Sequence, residues 1–230
     1  MSTDKKTTKV EENLQSVESA LSNAEHFIER NQKNLSYLVL GVILLIGGYW
    51  MMKIYYYQPQ ELQSQKVSFR AQSYFEKDSF KLALNGDGMS PGFIEIARKY
   101  SSSKAGKLAN YYAGISYLHL GNFQKAIDYL KDFSTDDAMV QSIATGATGD
   151  AYLELGNKEK AISYYEDAIA TKDEFTAPTY LMKLGLLQEE MGKQKDALES
   201  YTAIKDQYKK SAEYTLIDKY ITRVTVSLQK

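Results

Sequence analysis

The residues with the most chemical potential in this chain are few, and their spacing does not suit catalysis. Adjacent carboxylates such as Asp136 with Asp137 and Glu189 with Glu190 lie about 100° apart on a helix, so they do not face each other as a general acid and base would. Asp136 and Asp137 suit a helix N-terminus instead, where a carboxylate accepts from free backbone N–H groups. There are two histidines, His26 and His119, and no cysteine, which removes thiolate ligands, disulfides and cysteine nucleophiles. With no second histidine near it, His119 reads as a solvated or hydrogen-bonded side chain rather than a metal ligand. The run Asn85-Gly86-Asp87-Gly88 has the composition of a calcium loop. With Gly88 as sixth position, however, the first and twelfth fall on Ala83 and Ile94, where an acid and a glutamate are needed. A turn between helices fits it better, with help from Pro91-Gly92. Neither a glycine-rich phosphate loop ending in lysine nor a Gly-x-Ser-x-Gly elbow occurs. No catalytic, cofactor-binding or metal-binding residue is assigned, and no enzyme is expected.

Charge narrows the partners. The chain of 230 residues carries 28 basic and 29 acidic residues, and the balance holds both before and after its apolar run. A polyanion needs a basic stripe, so nucleic acid is excluded as the expected partner.

The element that must hold everything in place is residues 35–52, LSYLVLGVILLIGGYWMM, which contains no charge. As a helix its eighteen residues reach roughly 27 Å, close to the hydrocarbon thickness of a bilayer. Arg30 and Lys33 precede it and Lys53 follows it. Tyr49, Trp50, Tyr55, Tyr56 and Tyr57 suit an aromatic belt at one interface. A cleaved signal peptide wants small residues after its apolar core; bulky ones stand here, so a retained transmembrane helix and contact with a lipid bilayer are expected. The basic residues Arg30 and Lys33 on one side against Lys53, Lys66 and Arg70 on the other do not decide its orientation.

Residues 1–34 form a tail. In it Val10, Leu14, Val17, Leu21, Ala24 and Ile28 step by fours and threes, the seam of an amphipathic helix. Two readings stay open for it: a helix alone or on the membrane surface, and a helix against a partner helix. After the anchor, residues 53–91 read as a linker and a long leading helix from Gln60 to Asn85, and residues 92–230 as a further helical domain.

That domain repeats. Tyr117-Leu-His-Leu-Gly121-Asn, Tyr152-Leu-Glu-Leu-Gly156-Asn and Gln188-Glu-Glu-Met-Gly192-Lys recur at intervals of 35 and 36 residues. Each is followed by Ala126, Ala161 or Ala197 and preceded by Gly114, Gly149 or Gly185. The early glycine and the alanine suit the closest approach of two helices, and the middle glycine a tight turn between them. These offsets resemble the tetratricopeptide repeat, a pair of antiparallel helices, with units near 107–141, 142–177 and 178–210. Pro178 suits the first turn of a helix, and residues 211–228 a capping helix. The expected fold is therefore all-α: a single N-terminal transmembrane helix followed by a tetratricopeptide-repeat α-solenoid.

In such repeats the first helices line a groove. The resemblance assigns to it Leu108, Tyr111, Ile115, Leu118, His119, Ile143, Asp150, Leu153, Glu154, Met182, Leu186, Glu189 and Glu190, an apolar strip with an acidic edge. It lacks the basic clamp that captures a peptide carboxylate. The groove is open either to a polypeptide partner or to cover by the protein's own flanking helices.

Tail, anchor and repeats in this order resemble the YfgM-like ancillary subunits of the bacterial Sec translocon. Residues 71–88, AQSYFEKDSFKLALNGDG, and 217–223, IDKYITR, resemble the form found in Bacteroidota. The resemblance implies a single pass of the bacterial inner membrane with the tail cytoplasmic and the repeats periplasmic. It also implies SecYEG and a PpiD-like membrane-anchored chaperone as neighbours, and exported polypeptides as clients. A structural scaffold of another envelope complex is the alternative that the repeats alone allow.

Overall fold

In a computed structural model, which describes residues 4–229 and the side chains from Leu21 onward except those at 23, 24 and 26, the chain is helical. The described residues contain no β-strand, only one isolated bridge between Gly86 and Pro91. The chain divides after Gln58 into two compact units.

The first unit is one long helix, α1 (Asp4–Met52), continued by five residues of π-helix, Lys53–Tyr57. It is long and apolar enough to cross a membrane, and none of its apolar window is buried within the protein. Gly41, Gly47 and Gly48 each have open space where a Cβ would stand. Of the tail's apolar seam, Leu21 and Ile28 are exposed, while the other four side chains lie outside the described residues.

The second unit opens with α2 (Gln58–Phe75). The unbroken helix expected from Gln60 to Asn85 is corrected here. α2 stops at Phe75, the chain turns with Asp78 at φ +54°, and α3 (Phe80–Asn85) begins anew. Aspartate is one of the few residues with a side chain that accept this left-handed conformation. The Ser79 and Lys77 N–H groups both return to the Tyr74 carbonyl, at 2.9 and 3.2 Å. The bend brings Phe80 against Phe75, with ring centroids 5.6 Å apart, and lets Phe75 reach Phe93 and Tyr112. On its inner face α2 is built from Ser64, Ser68 and Ala71, all buried, small enough for a neighbouring helix to come close. Glu61 accepts from the Lys104 N–H at 2.7 Å, tying α2 to the start of α5 (Lys104–His119).

The connection at residues 86–91 is a turn, as its sequence suggests. Gly86 and Gly88 take positive φ. The Asp87 carboxylate accepts from the N–H groups of Ser90 and Met89 at 2.7 and 2.9 Å and from the Tyr74 hydroxyl at 2.8 Å. Its acceptor positions are spent on the loop's own backbone and on Tyr74 and Arg70 of α2. α4 (Phe93–Lys99) follows with Phe93, Ile96 and Ala97 buried.

Three helical pairs come next: α5 (Lys104–His119) with α6 (Phe123–Lys131), α7 (Ala138–Glu154) with α8 (Lys158–Ile169), and α9 (Ala177–Glu190) with α10 (Gln194–Gln207). Ser103, Asp137 and Asn157 each cap a helix, accepting from the N–H three residues on; a lost cap of this kind costs about 1 kcal/mol. Pro178 sits in the first turn of α9. Gly121, Gly156 and Gly192 turn the chain at φ of +70°, +76° and +74°. Ala126, Ala161 and Ala197 have no exposed surface. A Cβ on Gly114 would stand 2.5 Å from Leu130 Cγ, and one on Gly149 2.8 Å from the Tyr165 ring, so within each pair the helices meet at a glycine.

A second repeated device lies below each turn. Tyr117 stacks on Tyr129 and Tyr152 on Tyr164, with centroids 5.4 and 5.2 Å apart. At the same register of the third pair, the Ser200 hydroxyl donates to buried Gln188 Oε1 at 2.8 Å. The stack ends on a 3₁₀ turn, Glu213–Leu216, and α11 (Ile217–Leu228). The helix expected from residue 211 thus starts six residues later. Ile217 and Val224 pack with Tyr201 and Ile204 in one cluster. Burying such side chains contributes about 1.5–3 kcal/mol apiece.

Candidate functional site

The thirteen side chains assigned to a groove fall into three environments. Leu108, Tyr111, Ile115 and Leu118 on α5 are half-buried against Leu130, Phe133, Ala144 and Ala147. The Tyr111 ring lies 5.5 Å from that of Phe133, and burial, with Tyr112 beside it, raises the Tyr111 phenol above its ordinary pKa. Ile143 is half-buried, and its carbonyl accepts from the Tyr180 hydroxyl at 3.3 Å. Met182 packs against the cluster around Tyr201.

A second set converges. Leu118 and His119 of α5 and Asp150, Leu153 and Glu154 of α7 meet Phe123 and Lys183 around a cleft of about 500 Å³ that draws on three successive units. Its principal anion is already partnered. Asp150 accepts from Lys183 Nζ at 2.7 Å and from the Tyr165 hydroxyl at 2.7 Å. Burial first, and then the Asp150 charge, raises the Tyr165 phenol far above its ordinary pKa, so it remains a donor. His119 remains exposed, with one ring face covered: Phe80 stacks on it at 4.4 Å and 4°. The leading helices thus reach the groove at its first unit.

The remaining residues lie on α9. Leu186 is 41% exposed. Glu189 accepts from the Tyr201 hydroxyl at 2.7 Å and from Arg223 Nε at 3.0 Å, and Arg223 Nη2 donates to its second oxygen. That hydrogen bond is the chief reason the guanidinium is held above its ordinary pKa. Glu190 pairs with Lys158 at 2.7 Å. The acidic edge read from the sequence is therefore laced with cations from neighbouring units, and Lys183 and Arg223 are the residues that reading omits. They contact Asp150 and Glu189 across 33 and 34 residues, a proximity visible only once units are stacked. Among the described residues no group of three or more acidic or histidine side chains is placed to hold a metal ion.

Comparison with known proteins agrees with this architecture. Family models of the tetratricopeptide repeat match residues 108–136, 148–174 and 180–211. The solved structure of MamA protein is similar in fold, with a TM-score of 0.52 and 18% identity over 72% of this chain and 88% of that one. No curated protein matches the chain. Residues 108–211 carry three tetratricopeptide repeats, which mark the chain as a protein–protein interaction adaptor.

Proposed function

We propose that the chain is a membrane-anchored adaptor that binds or hands on segments of exported polypeptides at the Sec translocon. The observation that carries this reading is the cleft spanning α5, α7 and α9. It offers half-buried Leu118 and Leu153 to an apolar segment, with Leu186 exposed one turn beyond Lys183 on α9, while Asp150 and Lys183 are already paired with each other. A site of that kind asks little of its client beyond apolar side chains, which suits a protein that meets many unfolded chains. The apolar helix α1 would hold the cleft at a membrane surface. The order of tail, anchor and repeats supports placing the anchor in the bacterial inner membrane, with the tail cytoplasmic and the repeats periplasmic. SecYEG and a PpiD-like chaperone are its neighbours in this reading.

Photocrosslinking groups placed at Leu153 and Leu186 in the full-length protein test it in intact cells. Crosslinks to many exported chains, together with channel subunits, are expected. A single stable crosslinked protein would replace this reading with that of a fixed envelope scaffold. Protease added to spheroplasts is expected to digest the repeats, and full protection would overturn the orientation.

A further inference from the structure

We propose that the aromatic side chains between Tyr49 and Tyr57 form a ring that lies in the lipid headgroup zone and sets the depth of the anchor, so that lipid, not a protein face, surrounds the helix at that level. This rests on the anchor reading above. Tyr49 and Trp50 close α1, and Tyr55, Tyr56 and Tyr57 complete the π-helix. All five are exposed, from 41% at Tyr57 to 77% at Tyr55.

Their distribution around the helix distinguishes the two kinds of partner. At about 100° per residue, Tyr49 and Trp50 take one side and Tyr55 the other, while Tyr56, seven residues on from Tyr49, would return to the first side. The wider π-turn, in which the Gln58 N–H returns to the Lys53 carbonyl five residues back, slows the rotation and so carries Tyr56 away from Tyr49, toward the side opposite Trp50. A docked protein helix covers one stripe of its partner and favours small residues along it. A bilayer interface is a layer that touches every side of the helix, and the aromatics, spread over about 12 Å of its length, are bulky on every side.

The side-chain chemistry agrees. Each ring is an apolar body with one hydroxyl or N–H, the combination that settles between hydrocarbon and water. Lys53, exposed within the ring, can extend its amine to the phosphates while its stem stays among the aromatics. In chain order the uncharged residues 35–48 precede the ring, and after it Pro59 and Glu61 stand in the first turn of a helix whose inner face is buried in the folded domain.

The chain holds one tryptophan, Trp50, so its fluorescence reports this level alone. Full-length protein is incorporated into phosphatidylcholine–phosphatidylglycerol vesicles carrying a nitroxide either near the lipid carbonyls or near the chain ends. The protein should float with the vesicles, and the shallow quencher should be at least about twofold more effective than the deep one, as for an interfacial tryptophan. A variant with Tyr55, Tyr56 and Tyr57 all replaced by serine should still float, with that ratio falling toward one. A floating wild-type protein quenched by neither label, or better by the deep one, would overturn the proposal. So would a triple variant that keeps the full ratio. A chain that does not float at all would overturn the anchor reading, and this inference with it.

Discussion

The Tyr165 hydroxyl donates to Asp150 Oδ1 at 2.7 Å, and Lys183 Nζ donates to the same carboxylate. One half-buried acid thus joins α8 to α7 within a unit and α7 to α9 in the next. Asp150→Ala leaves the Tyr165 hydroxyl unpaired and is expected to cost about 1–3 kcal/mol, more than the roughly 0–1 kcal/mol of an exposed ion pair. Lys183→Met, which removes only the ion pair, should fall in the smaller range. Urea unfolding of the repeat domain compares the two.

The third unit replaces a stacked tyrosine pair with the hydrogen bond from Ser200 to buried Gln188. Ser200→Ala strands the acceptor and should cost about 1–3 kcal/mol, whereas Gln188→Leu combined with Ser200→Ala should be close to neutral. A double-mutant cycle in urea measures the difference, and strict additivity would show that the bond is not made.

Gly146 was not singled out by the repeat spacing, yet a Cβ there would fall inside the Tyr180 ring. Gly146→Ala gains up to about 1 kcal/mol of helix propensity and loses about 1–3 kcal/mol, or more, to overpacking. A lower melting temperature is expected, recovered by shortening Tyr180 to leucine in the same chain.

Asp87 titrates at about 2 because the Ser90 N–H, the Tyr74 hydroxyl, the Met89 N–H and Arg70 all favour its charged form. Its folded value lies below the ordinary 3.8, so the stabilisation it provides is complete above that ordinary value and is lost as pH falls toward 2. The protection of the Met89 and Ser90 amides, their exchange measured against the intrinsic rate at each pH, should be lost across that interval. Asp87→Asn should show fast exchange already at neutral pH and no such acid step.

How much was legible in the sequence follows from what each residue answers to. Gly121, Gly156 and Gly192 answer to local backbone geometry and Ala126, Ala161 and Ala197 to close approach within one unit, so their spacing alone discloses turns and pairs. Asp78 also turns the chain, but aspartate is common in helices and caps alike, and the break at residues 76–79 passed unseen. Tyr111 is instructive in another way. Its register matches a groove position, yet its ring packs on Phe133, so a charge there would test folding, not binding. Leu153 and Leu186 are the sounder probes. Lys183 and Arg223 lay beyond reach because their partners come from other units, and no period within a unit points to them.

The two glycines of each repeat exclude a side chain on different grounds. Around Gly121, Gly156 and Gly192 a Cβ would meet nothing within 4 Å, and the obstacle is the hand of the backbone alone. A D-alanine, the mirror image that favours positive φ, should fit all three turns and stiffen them by restricting the unfolded chain. At Gly114, Gly149 and Gly185 an ordinary L methyl group is unwelcome, because the opposing Leu130, Tyr165 and Tyr201 already occupy the space. Chirality therefore guards one end of each helical pair, and volume guards its crossing point.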